Sequence, residues 1–441
     1  MRFQLTAIAE ASGGTLHGAD VAVEGVGIDS RELASGSLFV PIVAERDGHD
    51  FIGSAIDAGA AAYLTSGPLV GEPAVVVPET TAALGVIGRL ARQRIECPVL
   101  AITGSVGKTT TKDLLAGALG SSRSTHVSYR SFNNELGVPL TLANTPDGAE
   151  AVVLEMGARG AGHIALLCEI ARPEIGIVLA VGAAHTELFG DLDAVARAKG
   201  ELIASLPNTG GAILNADDER VSAMAMLTDA EVVTFGNNGD VRARHVRLDD
   251  HLRPTFDLTS PWGDARVSLA AAGAHIVTNA CAAAASALFI GADLASVVEG
   301  LENAEISPLR MDVRRLSSGA TLINDAYNAN PLSMNAAIDA LVEVDAKRRI
   351  AVLGVMAELG ERSAAEHLLI GERLRDSGIE LVAVGAPEYL KGPVGGADSG
   401  VRVETVAEAL ECLQGIDEDV AVLVKGSRVA GLERVVDELL R

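Results

Sequence analysis

Aromatic side chains are scarce in this chain: one Trp, four Tyr and eight Phe, 3% of 441 residues. A core must be built from aliphatic residues and alanine. With 47 Gly and 48% hydrophobic residues, a folded α/β chain is expected. Basic charge is also in short supply. Lys and Arg number 35 against 59 Asp and Glu, a formal net charge of −24. That balance argues against nucleic acid or an anionic membrane surface as partner, because both need basic patches. A phosphate-rich small ligand stays open wherever lysines and arginines converge locally. Cysteine is sparse too: Cys97, Cys168, Cys281 and Cys412 lie far apart and form no C-x-x-C pair. No metal or disulfide framework is expected from that spacing, and a reducing cytoplasm fits. The N-terminal MRFQLTAIAEASGG has no long apolar core, so no secretory signal is expected. One charge-free stretch, between Arg266 and Asp293, is long enough to raise a membrane span. It contains Ser268, Gly273, His275, Thr278 and Asn279 and is mostly alanine, which reads as a buried helix of a soluble domain.

What is present is a repeated strand-then-helix rhythm. CPVLAIT (97–103), AVVLEMG (151–157), EIGIVLAVG (174–182) and GGAILNADD (210–218) are short apolar runs ending in Gly or polar residues. Helical patterns follow most of them, the signature of a mainly parallel sheet. Residues 241–271 alternate instead, as in VRARHVRL, and predict an antiparallel addition. A second α/β series follows ISPLRMDVRR, with ATLINDAY, RRIAVLGV, ELVAVG and DVAVLVKGS. A smaller α/β segment precedes Cys97. The length suits about two to four domains at ~100–200 residues each. The expectation is three: a small N-terminal α/β domain over 1–96, a central P-loop domain over 97–306, and a C-terminal Rossmann-like α/β domain over 307–441. There is no internal repeat and no low-complexity linker.

The chemistry begins at Thr103-Gly104-Ser105-Val106-Gly107-Lys108-Thr109-Thr110. The common phosphate loop reads G-x-x-x-x-G-K-[ST], and Ile102 stands where its first glycine belongs. Here the glycine arrives two residues later, at Gly104. A strand ending at Thr103, a glycine turn and a helix from about Lys108 would surround phosphate oxygens with backbone N–H groups and a helix N-terminus. Lys108 can reach the β- and γ-phosphates, and the Thr109 hydroxyl can bind Mg²⁺. Glu155 follows the apolar strand AVVL, at the carboxyl edge where parallel sheets bind ligands. It reads equally as a Mg²⁺ ligand or as a helix-capping, solvated carboxylate. His185 also follows a strand, and a lone histidine is more often structural than a ligand. Lys199, in AVARAKGEL, reads on pattern alone as a solvated helix lysine.

Together these segments resemble the Mur ligases, the ATP-dependent amide-forming enzymes of peptidoglycan precursor synthesis, whose loop is T-G-[ST]-x-G-K-T-[TS]. The resemblance covers essentially the whole chain. GIDSRELASGSLFV and RDGHDFIGSAIDAGAAAYL are similar to the N-terminal uridine-nucleotide domain of the two later-acting members. SFNNELGVPLTL (131–142), LEMGARGAGHI (154–164), AHTELFGDLDAVARAKGEL (184–202) and NADD (215–218) match the central domain in order. NDAYNANPLSMNAAIDAL (324–341), LGVMAELG (353–360) and LVKGSR (423–428) resemble the branch that adds D-alanyl-D-alanine to a UDP-N-acetylmuramoyl tripeptide. The D-N-P-R-type segment that reads a diamino acid in the preceding ligase is absent.

The resemblance implies roles residue by residue. Lys108 holds the γ-phosphate and Thr109 the first Mg²⁺, within an ATP site spanning Thr103 to Thr110. Glu155 and His185 match ligands of a second metal, and Lys199 the lysine that becomes carbamylated in several members. Asn134 lines the reaction centre, and Ser30, Arg31 and Asn133 meet the UDP-substrate. Asn279 matches an adenine contact, Arg310 the arginine reaching ATP from the third domain, and Asp325 a carboxylate near the ribose. Asn328, Asn330, Lys425, Ser427 and Arg428 form the implied dipeptide and closure surface. ATP and Mg²⁺ are the implied cofactors, small molecules the substrates, and a cytoplasmic monomer the expected form. The implied reaction phosphorylates the tripeptide's terminal carboxylate; the dipeptide amine then attacks the acyl phosphate, with domain closure excluding water. Four departures stand out: Leu309 where the family has Gly, Val355 where it has an acid, Arg130-Ser131 for Gly-Asn, and Ile276 for the first Asn of H-N-x-x-N. Two other readings stay open. One is a sister ligase with another acceptor, such as a folylpolyglutamate-type enzyme; the other is a non-catalytic nucleotide switch.

Overall fold

The computed structural model describes residues 1–183, 189–391 and 400–441. The N-terminal unit contains β1 (Arg2–Gln4), β2 (Thr15–His17), β3 (Ala22–Glu24), β4 (Val26–Gly27), β5 (Leu38–Phe39), β6 (Ala62–Thr65) and β7 (Ala74–Val76). Five of them form one sheet in the order β2-β7-β6-β5-β4, antiparallel only at β2, while β1 pairs with β3. The helix Thr80–Arg92 opens on Glu79, whose carboxylate accepts from the backbone N–H groups of Thr81 and Ala82. Its apolar face (Leu84, Ile87, Ala91) packs in one continuous core with Val138, Leu142 and Ile170 of the next unit.

The central unit is a six-stranded, wholly parallel sheet: β8 (Val99–Thr103), β9 (Thr125–Val127), β10 (Ala151–Glu155), β11 (Ile175–Val178), β12 (Gly211–Asn215) and β13 (Glu231–Phe235). Its order is β13-β12-β11-β8-β10-β9. The chain runs outward from β8 on one side and returns to fill the other. The crevice beside β8 is therefore a topological switch point, where open α/β sheets bind ligands. Strands covered on both faces read as unbroken apolar runs, and Val99 to Ile102 are fully buried.

The antiparallel addition is present as β14 (Arg242–Leu248), β15 (Pro254–Ser260) and β16 (Gly263–Ser268). The charge-free stretch becomes the 14-residue helix Ile276–Phe289, whose buried Ala280 to Ala285 pack on the helix Lys108–Gly120. No helix among the described residues is long and apolar enough to cross a membrane. The helix Lys108–Gly120 also approaches the helix Leu294–Glu302 so closely that a Cβ on Gly117 would lie 2.4 Å from the Gly300 carbonyl oxygen.

The C-terminal unit has β17 (Asp312–Arg315), β18 (Thr321–Asp325), β19 (Arg348–Leu353), β20 (Glu380–Val384), β21 (Gly400–Val403) and β22 (Val420–Lys425), ordered β17-β18-β22-β19-β20-β21. All pairs are parallel except the edge pair β17–β18. Asp325 and Lys425 thus end adjacent strands in register, at the sheet edge that faces the phosphate loop.

Candidate active site

The carboxyl edges of the central and C-terminal sheets enclose a cavity of about 960 Å³. Ser105 to Thr110 line its floor at the end of β8, and the helix begins at Lys108, as expected. Gly107 holds φ +84°, and a Cβ there would fall 2.7 Å from Asn279 Oδ1. Only glycine lets the loop turn this tightly against the asparagine. Ser105 N–H donates to the Ala180 carbonyl at 2.9 Å, fixing the loop to the end of β11. Lys108 Nζ donates to the Gly104 carbonyl at 2.8 Å. Burial pulls the Lys108 pKa below the ordinary lysine value; Glu155 opposes that shift and Arg310 adds to it.

Glu155 closes β10 and is 1% exposed, which removes the solvated reading. Thr109 Oγ1 donates to Glu155 Oε2 at 2.8 Å, and Asn133 Nδ2 donates to Oε1 at 2.8 Å. Arg310 Nη2 reaches across from the C-terminal unit and donates to Thr109 Oγ1 at 2.9 Å. Asn134 Oδ1 accepts from the Leu136 and Gly137 N–H groups at 3.2 and 3.0 Å, just ahead of the helix Gly137–Ala143. Among the described residues, Arg310 Nε is one of the buried side-chain polar atoms left without a partner, as is Thr103 Oγ1 at the end of β8. A donor left over on a guanidinium beside an open phosphate loop fits an anionic nucleotide, since buried polar groups are otherwise satisfied.

Lys199 corrects the pattern reading. It is 4% exposed, not solvated, because Val195 and Leu202 share its face of the helix Leu192–Ala204 and are buried with it. Burial, and secondarily the Lys108 charge, push its pKa down to about 7. It does not line the cavity wall itself. His185 lies outside the described residues. Among the described residues, no group of three His, Cys, Asp or Glu is placed to hold a metal ion.

On the C-terminal wall, Lys425 is 1% exposed and donates to Asp325 and to the Asn328 carbonyl, the latter at 2.9 Å. Asp325 Oδ1 also accepts from Met311 N–H at 3.2 Å. Asn330 caps the helix Pro331–Glu343 in a reciprocal capping box with Ser333, and its Nδ2 donates to the Ser105 carbonyl at 3.3 Å. Ser427 Oγ donates to the Ala329 carbonyl at 3.3 Å, and Arg428 pairs with Glu433 at 3.4 Å while lining the cavity. Ser30 and Arg31 do not line the cavity: Arg31 is exposed and pairs with Asp29 at 2.6 Å. Ile28, three residues earlier, does line it.

Sequence reasoning missed Lys112, which is 2% exposed and ties the 128–130 loop through bonds to the Ser128 and Arg130 carbonyls at 3.1 and 2.8 Å. Its spacing of four from Lys108 placed it one turn on. Tyr327 was also missed as a single residue, although it lies within the quoted YNANP run. Its ring carries the Arg310 guanidinium at 4.2 Å.

Comparison with known proteins covers nearly all of the chain. Residues 22–93 match the family model described as "Mur ligase family, catalytic domain", 102–287 "Mur ligase middle domain", and 309–428 "Mur ligase, glutamate ligase domain". A UDP-N-acetylmuramoyl-tripeptide–D-alanyl-D-alanine ligase of Escherichia coli (strain K12) is 36% identical, over 99% of this chain and 98% of its own length. The ligase of the same name from Mycobacterium bovis is 41% identical over 94% and 92%. The crystal structure of MurF from Acinetobacter baumannii superposes with a TM-score of 0.91 at 31% identity, over 100% of this chain and 99% of that one. MurF ligase from Thermotoga maritima in complex with ADP gives 0.83 at 28%, over 95% and 97%. Sequence, fold and the phosphate loop facing a second α/β sheet agree, and the chain belongs to the Mur ligase family.

Proposed function

We propose that this chain is the ATP-dependent ligase that joins D-alanyl-D-alanine to UDP-N-acetylmuramoyl-tripeptide, the reaction for which its relatives are named. One observation carries the reading: Lys108, Thr109 and Glu155 from one sheet face Arg310, Asp325 and Lys425 from another across a single cavity. A carboxylate is a poor electrophile, and phosphorylation by ATP supplies it with a leaving group. The amine of the dipeptide then attacks the acyl phosphate, forming the amide and releasing phosphate. Lys108 and Arg310 balance the charge of the phosphates, and the P-loop backbone orients them. Thr109 and Glu155, two oxygens 2.8 Å apart, are the residues that would hold Mg²⁺ with phosphate oxygens. When bound, that ion neutralises charge between carboxylate and phosphate. Burial brings the Lys199 pKa down to about 7, so about half of the amine is neutral at neutral pH, and the neutral form is the one that adds carbon dioxide to become a carbamate.

In the same reading residues 1–96 bind the uridine nucleotide, through Ser30 and Arg31, with Asn133 of the central unit also meeting that substrate. Residues 97–306 bind ATP, with Asn279 at the adenine, Asp325 reaching the ribose from the third unit, and His185 joining Glu155 and Lys199 at a second metal. Residues 307–441 bind the dipeptide through Asn328, Asn330, Lys425, Ser427 and Arg428. The protein acts as a cytoplasmic monomer, its four cysteines free. The test is phosphate release from Mg·ATP with UDP-muramoyl tripeptides ending in diaminopimelate or lysine, with and without D-alanyl-D-alanine. Release that needs both substrates, with a pentapeptide product by mass spectrometry, is expected. Turnover with glutamate or a free diamino acid, and none with the dipeptide, would overturn it.

A further inference from the structure

Two of the departures from the family pattern lie close together in space. Arg130 and Leu309 stand where the family has glycine, and both hold left-handed backbones, φ +50° and +63°. Side chains resist that region, so each position must be held by its surroundings. The Arg130 carbonyl accepts from buried Lys112 Nζ at 2.8 Å, and its guanidinium lies 4.8 Å over the Tyr129 ring. The Leu309 carbonyl accepts from Tyr327 N–H at 3.2 Å. One residue beyond each turn, the two sides meet. Ser131 follows Arg130, and its hydroxyl shares a hydrogen bond with the Tyr327 hydroxyl across the interface between the central and C-terminal units. Arg310 follows Leu309, lies 4.2 Å over the Tyr327 ring and donates to Thr109 of the phosphate loop.

We infer that Ser131 and Tyr327 are positioning residues, a hydroxyl clasp across the interface that sets Arg310 against the nucleotide phosphates. A ring face attracts a guanidinium but leaves it free to slide or pivot with the ring. The clasp removes that freedom by anchoring the far end of the ring to the central unit. Arg310 Nε has no partner among the described residues, so the ring and the Thr109 hydroxyl are what hold the side chain. An arginine ordered before ATP arrives loses less rotamer entropy on binding it. The inference rests on the functional reading above, in which Arg310 faces ATP.

The experiment measures binding of a non-hydrolysable ATP analogue by calorimetry, alongside KM for ATP and kcat, on the full chain. Tyr327→Phe and Ser131→Ala each remove one hydroxyl. Each is expected to weaken analogue binding and raise KM for ATP about five-fold, the worth of one net hydrogen bond, with kcat changed less. Ser131→Thr keeps a hydroxyl and recovers most of that loss. In an Arg310→Ala background, removing either hydroxyl does nothing further, because the clasp acts through the arginine. An equal five-fold loss with and without Arg310, or a lowered unfolding temperature with unchanged ATP affinity, would make the pair merely structural and overturn the inference. Wild-type protein that fails to bind the analogue would instead overturn the functional reading itself.

Discussion

Lys199 and Lys425 are both buried lysines beside the cavity, 4% and 1% exposed, and they keep opposite company. Lys425 ends β22 against Asp325, the last residue of the adjacent strand, and fills a second donor position with the Asn328 carbonyl. Lys199 has no hydrogen bond or ion pair among the described residues, and its electrostatic neighbour is another cation, Lys108. Burial without a counter-charge favours the neutral amine, whereas burial against a carboxylate supports the charged pair. The central unit thus buries an amine without a counter-charge behind the cavity wall, and the C-terminal wall keeps a strut. The Lys425 pair joins β18 and β22 at the edge that presents Arg310 and Asn328.

The largest expected effect tests whether the central wall is the reactive one. Lys108→Ala should abolish amide formation, with turnover down by at least about a thousand-fold, because transition-state charge loses its main protein partner. A coupled phosphate-release assay measures this, and far-UV circular dichroism should show the fold unchanged. Near-normal turnover would break the assignment.

Lys199 should show itself in both activity and stability. Lys199→Ala is expected to lower turnover severely even at saturating Mg²⁺. The stability effect has a definite sign. Unfolded, the amine titrates at its ordinary 10.5; folded, at about 7. Below pH 7 both states carry the proton and the folded state bears the whole burial cost. Between pH 7 and 10.5 the unfolded state holds the extra proton, so stability rises with pH. Lys199→Met should therefore stabilise the protein, and its gain over wild type should shrink by roughly 2–3 kcal/mol between pH 7 and pH 9. Denaturant midpoints at the two pH values check it. Added bicarbonate should stabilise wild type and leave Lys199→Met unmoved.

The C-terminal strut should behave differently. Lys425→Met strands the Asp325 carboxylate, which is only 14% exposed, and should cost about 3–5 kcal/mol. Replacing both partners, Asp325→Asn with Lys425→Met, should recover much of that loss, since no unpaired charge remains. Equal instability of single and double variants would show that packing rather than charge sets the cost.

The contrast between the lysines also marks where sequence reading stopped. Strand, glycine turn and helix around Lys108 were legible because each has a local signature. The apolar runs from 97 to 218 and from 320 to 427 became parallel strands for the same reason. Burial of Lys199 was half legible. Val195, Lys199 and Leu202 are spaced four and three apart, an apolar stripe with a lysine in it, but the flanking Arg197 and Glu201 made the helix look solvated. The left-handed turns at Arg130 and Leu309 were illegible, since no local rule places arginine or leucine there. Pairings such as Ser131–Tyr327 and Lys425–Asp325 join residues 196 and 100 apart. Docking of the central and C-terminal units brings the first pair together, and the pairing of β18 with β22 the second.

Asn330 offers the smallest and sharpest test, because it belongs to both walls at once. Its Oδ1 caps the helix Pro331–Glu343 and its Nδ2 reaches the Ser105 carbonyl. Asn330→Ala removes both and should cost about 1 kcal/mol of stability, the usual worth of an N-cap. Asn330→Asp keeps the cap, because a carboxylate accepts from Ser333 N–H equally well, but it loses the donor to the phosphate loop and adds negative charge beside it. Thermal unfolding should therefore separate the two variants, while both raise KM for ATP. The sequence resemblance gives this residue to the dipeptide, and the geometry aims its donor at the P-loop. A rise in KM for D-alanyl-D-alanine with KM for ATP unchanged would favour the resemblance. The opposite result would make Asn330 a tie between the strut wall and the reactive one.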